Sequence, residues 1–132
     1  MKKVLAIDIG GTNIKSGLVD RDGNISHQIH RPSHAAEGRD ALLNVLKEVV
    51  EIQCETGNVV SIGCGSPGTV NYKTGMVTYM QAHIPNWTET PLGNLLMEFS
   101  ENIPAVIDND VNMIALGENW KGAGKGDRKS VV

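Results

Sequence analysis

One short stretch constrains this chain more than any other. An apolar run over residues 4–9 carries a single acid, Asp8, and is followed by Gly10-Gly11-Thr12-Asn13 and a second β-type run beginning at Lys15. The first run reads as a buried strand and the second, over 15–20, as its partner across a tight turn. Glycines at 10 and 11 let backbone N–H groups approach an anion closely, and Thr12 and Asn13 add further donors. Lys15 supplies a positive charge, and Asp8 can hold the water shell of a Mg²⁺ ion. A phosphate-bearing ligand gives this combination a purpose. An ordinary Gly-Gly hairpin beside a strand acid fits the same spacing.

The rest of the chain reads as alternating elements. A third strand is expected over 24–30, joined to the second through Asp22-Gly23-Asn24. Residues 31–37, with Pro32, read as a loop. Asp40 can cap a helix that runs to about Glu55, with Leu42, Leu43, Val45, Leu46, Val49, Val50 and Ile52 close to a 3.6 period. Gly57 closes it. A fourth strand is expected over 59–63, a loop over 65–68, and a hairpin over 70–79 turning at 73–75. Pro91 opens a helix whose apolar face is Leu92, Leu95, Leu96 and Phe99. A fifth strand follows over 105–107 and a third helix over 110–121. Residues 122–126 form a glycine-rich joint, and Ser130-Val131-Val132 resembles the start of another strand. Three antiparallel strands followed by βαβ units predict an α/β domain with a mixed sheet and helices on its faces.

Bulk properties exclude several classes. The chain has 132 residues, 40% hydrophobic and 20% charged, which suits one globular domain with a real core. A net charge of −3 argues against a dominant nucleic-acid or anionic-membrane surface. The one dense basic group, Lys121, Lys125, Arg128 and Lys129, reads as solvated. Cys54 and Cys64, without a CxxC, read as buried thiols of a reducing compartment, so the cytoplasm is the expected location.

A second chemical cluster is Ile107-Asp108-Asn109-Asp110-Val111-Asn112, where a strand ends and a helix begins. Ligands of α/β sheets bind beyond the carboxyl ends of strands. An acid at a helix start is kept ionised by the dipole, as a base must be, and Asn109 can both donate to and accept from a hydroxyl. Helix capping needs one such residue; four in five positions is an excess. Gly63-Cys64-Gly65-Ser66-Pro67-Gly68 fits G-x-G-x-x-G, yet a β pattern follows where a dinucleotide fold requires a helix. His27, His30, His34 and His83 lack metal-ligand spacing, and His27 and His30 read as surface residues on opposite faces of a strand. Trp87 and Trp120 read as packing residues.

Together these pieces resemble the sugar kinases of the ROK (repressor, open reading frame, kinase) family. The resemblance rests on four stretches in order: residues 8–15, residues 63–70, Ile84-Pro85-Asn86-Trp87, and Asn109-Asp110-Val111-Asn112 with Ala115-Leu116-Gly117-Glu118. It implies the actin-like, ribonuclease-H-like ATPase fold in two lobes, with the active site in the cleft between them. Residues 1–122 would form the N-terminal lobe, and 123–132 the hinge and start of a missing C-terminal lobe. By the resemblance, Asp110 is the general base and binds the sugar together with Asn109, Gly68, Thr69 and Gln81. Asp8, Gly10, Gly11, Thr12, Asn13 and Lys15 serve ATP and Mg²⁺.

The family's second phosphate motif and its later sugar-gripping His and Glu residues are expected beyond Val132. Its zinc site is expected only there too. His83 and Asn86 stand where family members usually carry Asn and Gly, which leaves the sugar open. The repressor branch begins with a helix-turn-helix, whereas this chain starts on the phosphate-turn strand. A homodimeric parent binding sugar and ATP is expected, without nucleic acid or membrane. The alternative is a sugar-sensing regulatory module that binds without turnover. The 132-residue chain alone is expected to be inactive.

Overall fold

A computed structural model describes residues 2–66, 69–71, 76–79, 87 and 90–109. The expected helix over 110–121 and the hinge over 123–132 lie outside the described residues.

The chain opens with a three-stranded meander, β1 (Lys3–Ile9), β2 (Asn13–Val19) and β3 (Ile25–Pro32). A short 3₁₀ turn (Ala35–Glu37) leads into α1 (Arg39–Glu55), then β4 (Val59–Ser66). The small strands β5 (Thr69–Asn71) and β6 (Met76–Tyr79) pair with each other. Helix α2 (Leu92–Phe99) and β7 (Ala105–Asn109) complete the order. The main sheet runs β3-β2-β1-β4-β7. Its first three strands are antiparallel neighbours, and β4 and β7 run parallel to β1. This is the mixed five-stranded sheet expected from the sequence.

Strand alternation divides the sheet into two unlike faces. Leu5, Ile7 and Ile9 of β1 are buried on one face, beside Ile14 and Leu18 of β2, Ile62 and Cys64 of β4, and Ile107 of β7. Leu42, Leu46 and Val50 of α1 and Leu92 and Leu96 of α2 complete that core. Each such side chain contributes about 1.5–3 kcal/mol on burial. The opposite face carries small residues in one register row, Gly17, Ala6 and Gly63.

Several local details differ from expectation. Helix α1 starts at Arg39, one residue before Asp40, and has no side-chain cap. Gly38 takes the cap position with φ 108, because its N–H bonds back to Ala35 O at 3.0 Å and closes the 3₁₀ turn. Asp40 instead lies in the first turn, where the helix dipole still favours an acid. Ile52 is exposed, and Gln53 takes the core position at that turn, in step with Leu42, Leu46, Val49 and Val50. Gln53 Nε2 donates to Ser16 Oγ at 3.0 Å and to the His27 carbonyl at 2.7 Å. The second bond pins a β-bulge, since Ser16 pairs with Ile29 while Leu18 pairs with Ser26. His27 sits there with φ 53. Pro91 is the residue before α2, not its first turn. Strand β4 runs through Gly65 and Ser66, which the sequence placed in a loop.

Cys64 is fully buried, but Cys54 is only partly so, which corrects the expectation of two buried thiols. Partial burial, reinforced by Glu101, raises the Cys54 thiol above its ordinary range. Among the described residues no helix is long and apolar enough to cross a membrane.

Candidate functional site

The parallel strands β1, β4 and β7 end at one edge of the sheet. Asp8 pairs with Gly65, and Gly65 pairs with Asp108. One step further, Ser66 pairs with Asn109. The glycine turn leaves β1 at this same edge, so the two clusters singled out in the sequence converge there although about a hundred residues separate them in the chain.

The turn is held by few bonds. Gly10 N–H donates to the Asn13 carbonyl at 2.8 Å, and Ser33 N–H donates to the Thr12 carbonyl at 2.9 Å. A Cβ on Gly10 would lie 3.1 Å from the Asn13 oxygen, so close backbone approach accounts for that glycine. Gly11 is different. An added Cβ there would meet nothing within 4 Å, and its φ is not in the left-handed region. Folding therefore does not require glycine at 11, and the missing side chain leaves the turn's backbone open to a ligand. Thr12 is exposed beside it, and Asn13 half-buried.

Asp8 and Lys15 are register partners on adjacent strands and point to the same face, opposite the one that α1 and α2 cover. Both are exposed. Neither side chain makes a hydrogen bond or ion pair among the described residues. An unspent carboxylate beside an unspent ammonium, next to an open glycine turn, suits a phosphate chain with its hydrated divalent cation.

At the end of β4, Ser66 is buried, and the Trp87 indole N–H donates to its Oγ at 3.2 Å. Trp87 is itself fully buried, and the Thr90 hydroxyl donates to its carbonyl at 2.6 Å. Trp87 is thus the packing residue the sequence predicted, and it ties the segment before α2 to the strand end. Thr69 opens β5, and Asn109 closes β7. Gly68, Gln81 and Asp110 lie outside the described residues. Sequence reasoning missed the place of Ser66, because a Gly-Ser-Pro-Gly run imitates a loop. It also missed the position of His30, the register partner of Lys15. Among the described residues no group of three or more His, Cys, Asp or Glu is placed to hold a metal ion directly.

The sequence pattern of the ROK family matches residues 4–132. The chain belongs to the ROK family. A glucokinase of Thermotoga maritima is 30% identical over 124 residues, covering 94% of this chain and 38% of the relative. A ROK family glucokinase from Streptomyces griseus, solved in complex with glucose and AMPPNP, superposes with a TM-score of 0.78 at 28% identity, covering 94% of this chain and 38% of that one. A ROK family transcriptional regulator, a homologue of the Escherichia coli MLC protein, superposes with a TM-score of 0.75 over 89% of this chain and 30% of its own. At 24% identity that likeness speaks to the fold alone. The chain spans about two-fifths of the length of the ROK relatives it matches. The fold is the actin-like ATPase fold of ROK sugar kinases, as the sequence motifs implied.

Proposed function

We propose that the complete protein is an ATP-dependent sugar kinase and that this chain is its N-terminal, phosphate-binding lobe, residues 1–122, with 123–132 as the hinge and the start of a C-terminal lobe. The carrying observation is the glycine turn: Gly11 has no structural reason to be glycine, and the side chains of Asp8 and Lys15 have no partner among the described residues. Membership of the ROK family and the names of its glucokinase relatives support the same reading.

Gly10, Gly11, Thr12 and Asn13 offer backbone and side-chain donors to the phosphates, and Lys15 offsets their charge. A bound Mg²⁺ would supply charge neutralisation for the donor phosphates. Asp8 is the exposed carboxylate suited to hold it through water. Asn109, at the end of β7, orients sugar hydroxyls. Asp110 takes the proton of the attacking hydroxyl. Gly68, Thr69 and Gln81 complete the sugar contacts. Phosphoryl transfer asks the protein mainly for alignment and charge neutralisation, which two converging strand ends supply. The parent is proposed to be a cytoplasmic homodimer, and the isolated lobe to lack turnover because half the cleft is missing.

A pure sugar sensor would need neither Asp8 nor Lys15, so the unpaired charges favour the kinase. The test is ADP release by the complete protein with Mg-ATP and glucose, fructose, N-acetylmannosamine, N-acetylglucosamine or cellobiose. Sugar-dependent release is expected and would name the acceptor. Folded protein that releases none with any of them overturns the reading. In the active protein, Asp110→Asn is expected to lower turnover about 10²-fold or more; near-normal turnover would remove Asp110 as the base.

A further inference from the structure

The charged row at the glycine turn does not stop at Lys15. His30 of β3 is the register partner of Lys15, as Lys15 is of Asp8. The three residues therefore stand side by side on one face, across three strands spaced about 4.8 Å apart. They line one open groove, in which the Ile25 side chain packs over Gly17.

The neighbours of His30 have other occupations. Arg31 faces the helix side and pairs with Glu48 of α1. His27 Nδ1 lies 3.2 Å from Ser26 Oγ, and His34 Nδ1 lies 2.8 Å from Glu37 Oε2. The exposed side chain of His30 makes no hydrogen bond and no ion pair among the described residues. It is the one described histidine whose side chain has no partner among the described residues, and it lies in line with Lys15 and Asp8, whose side chains have none there either.

We infer that His30 is a donor-binding residue, extending the phosphate site from the glycine turn along the Asp8–Lys15–His30 row to contact the phosphate chain of a nucleoside triphosphate. The inference rests on the donor-site reading above. An imidazole N–H donates to a phosphate oxygen in either tautomer, and Lys15 beside it holds the anion in place.

Calorimetry on the complete protein tests it, with Mg-ATP, magnesium tripolyphosphate and the sugar acceptor as separate titrants. For His30→Ala, the Kd of both phosphate ligands should rise about three- to five-fold, the scale of one solvent-exposed charge-assisted contact. The sugar Kd and the melting temperature should stay unchanged, and His30→Lys should restore phosphate affinity. Wild-type-like phosphate affinity in His30→Ala overturns the role of His30 and leaves the donor site standing. Wild-type protein that binds neither phosphate ligand overturns both. A parallel loss of sugar and phosphate affinity in His30→Ala would make the residue structural and also overturn the inference.

Discussion

The meander contains two glycine-bearing turns, and they are built on opposite plans. Between β2 and β3, Asp20 spends its carboxylate on the turn itself. Its Oδ1 accepts from the N–H groups of Asp22 and Asn24, both at 2.9 Å, and its Oδ2 accepts from Asn24 Nδ2 at 3.3 Å. Gly23 has φ 84, a conformation that demands glycine. Between β1 and β2, Gly11 has an ordinary φ and open space around it, and the side chains of Asp8 and Lys15 bond to nothing described. The lesson is one of allocation. A turn that satisfies its own polar groups serves the fold, whereas one that leaves them exposed and unsatisfied is prepared for something else.

Exchanging the treatment of the two acids should separate the turns most sharply. Asp8→Asn should lower sugar-dependent ADP release by about 10²-fold, the scale of losing one electrostatic contact to a reacting group, and leave the melting temperature unchanged. A drop in thermal stability without loss of turnover would erase the distinction. The glycines give a smaller effect of opposite kinds. Gly23→Ala should cost about 1–2 kcal/mol in denaturant unfolding, because the left-handed conformation penalises a Cβ. Gly11→Val should leave unfolding unchanged and raise the KM for ATP. Equal destabilisation by both would show that Gly11 is structural after all.

The smallest effect is expected on acidification. The backbone N–H of Asn24, with help from its side chain and from Asp22 and Lys3, holds the Asp20 carboxyl below its ordinary range. A depressed folded-state pKa stabilises above the unfolded value and loses that stabilisation as pH falls through the folded one. Amide exchange in the β2–β3 turn should therefore rise in acid below the ordinary aspartate range, and Asp20→Asn should flatten that dependence. Identical profiles for the two proteins would contradict the internal role of Asp20.

Much of this was legible before any coordinates. Period-two burial of Leu5, Ile7 and Ile9 with Asp8 turned outward follows from the apolar pattern, because strand geometry leaves no other choice. The 3.6 period located α1 and its face, apart from Ile52, whose place Gln53 takes. What misled was local imitation. Gly65-Ser66 looked like a loop because loops and close-packed strand ends use the same small residues. Asp40 looked like a cap because capping depends on backbone angles that Gly38 provides. His27 and His30 are both exposed, as the sequence suggested, and a bulge in β3 opposite Gly17 falls between them.

The sequence by itself determined the elements, the ROK membership and the identity of the charged residues, since those depend on local period and on motif. Only the tertiary structure decided which charges are spent and which are free. That depends on register: pairing across strands set Asp8, Lys15 and His30 in one row, turned Arg31 to the helix, and carried the end of β7 to the side of the glycine turn.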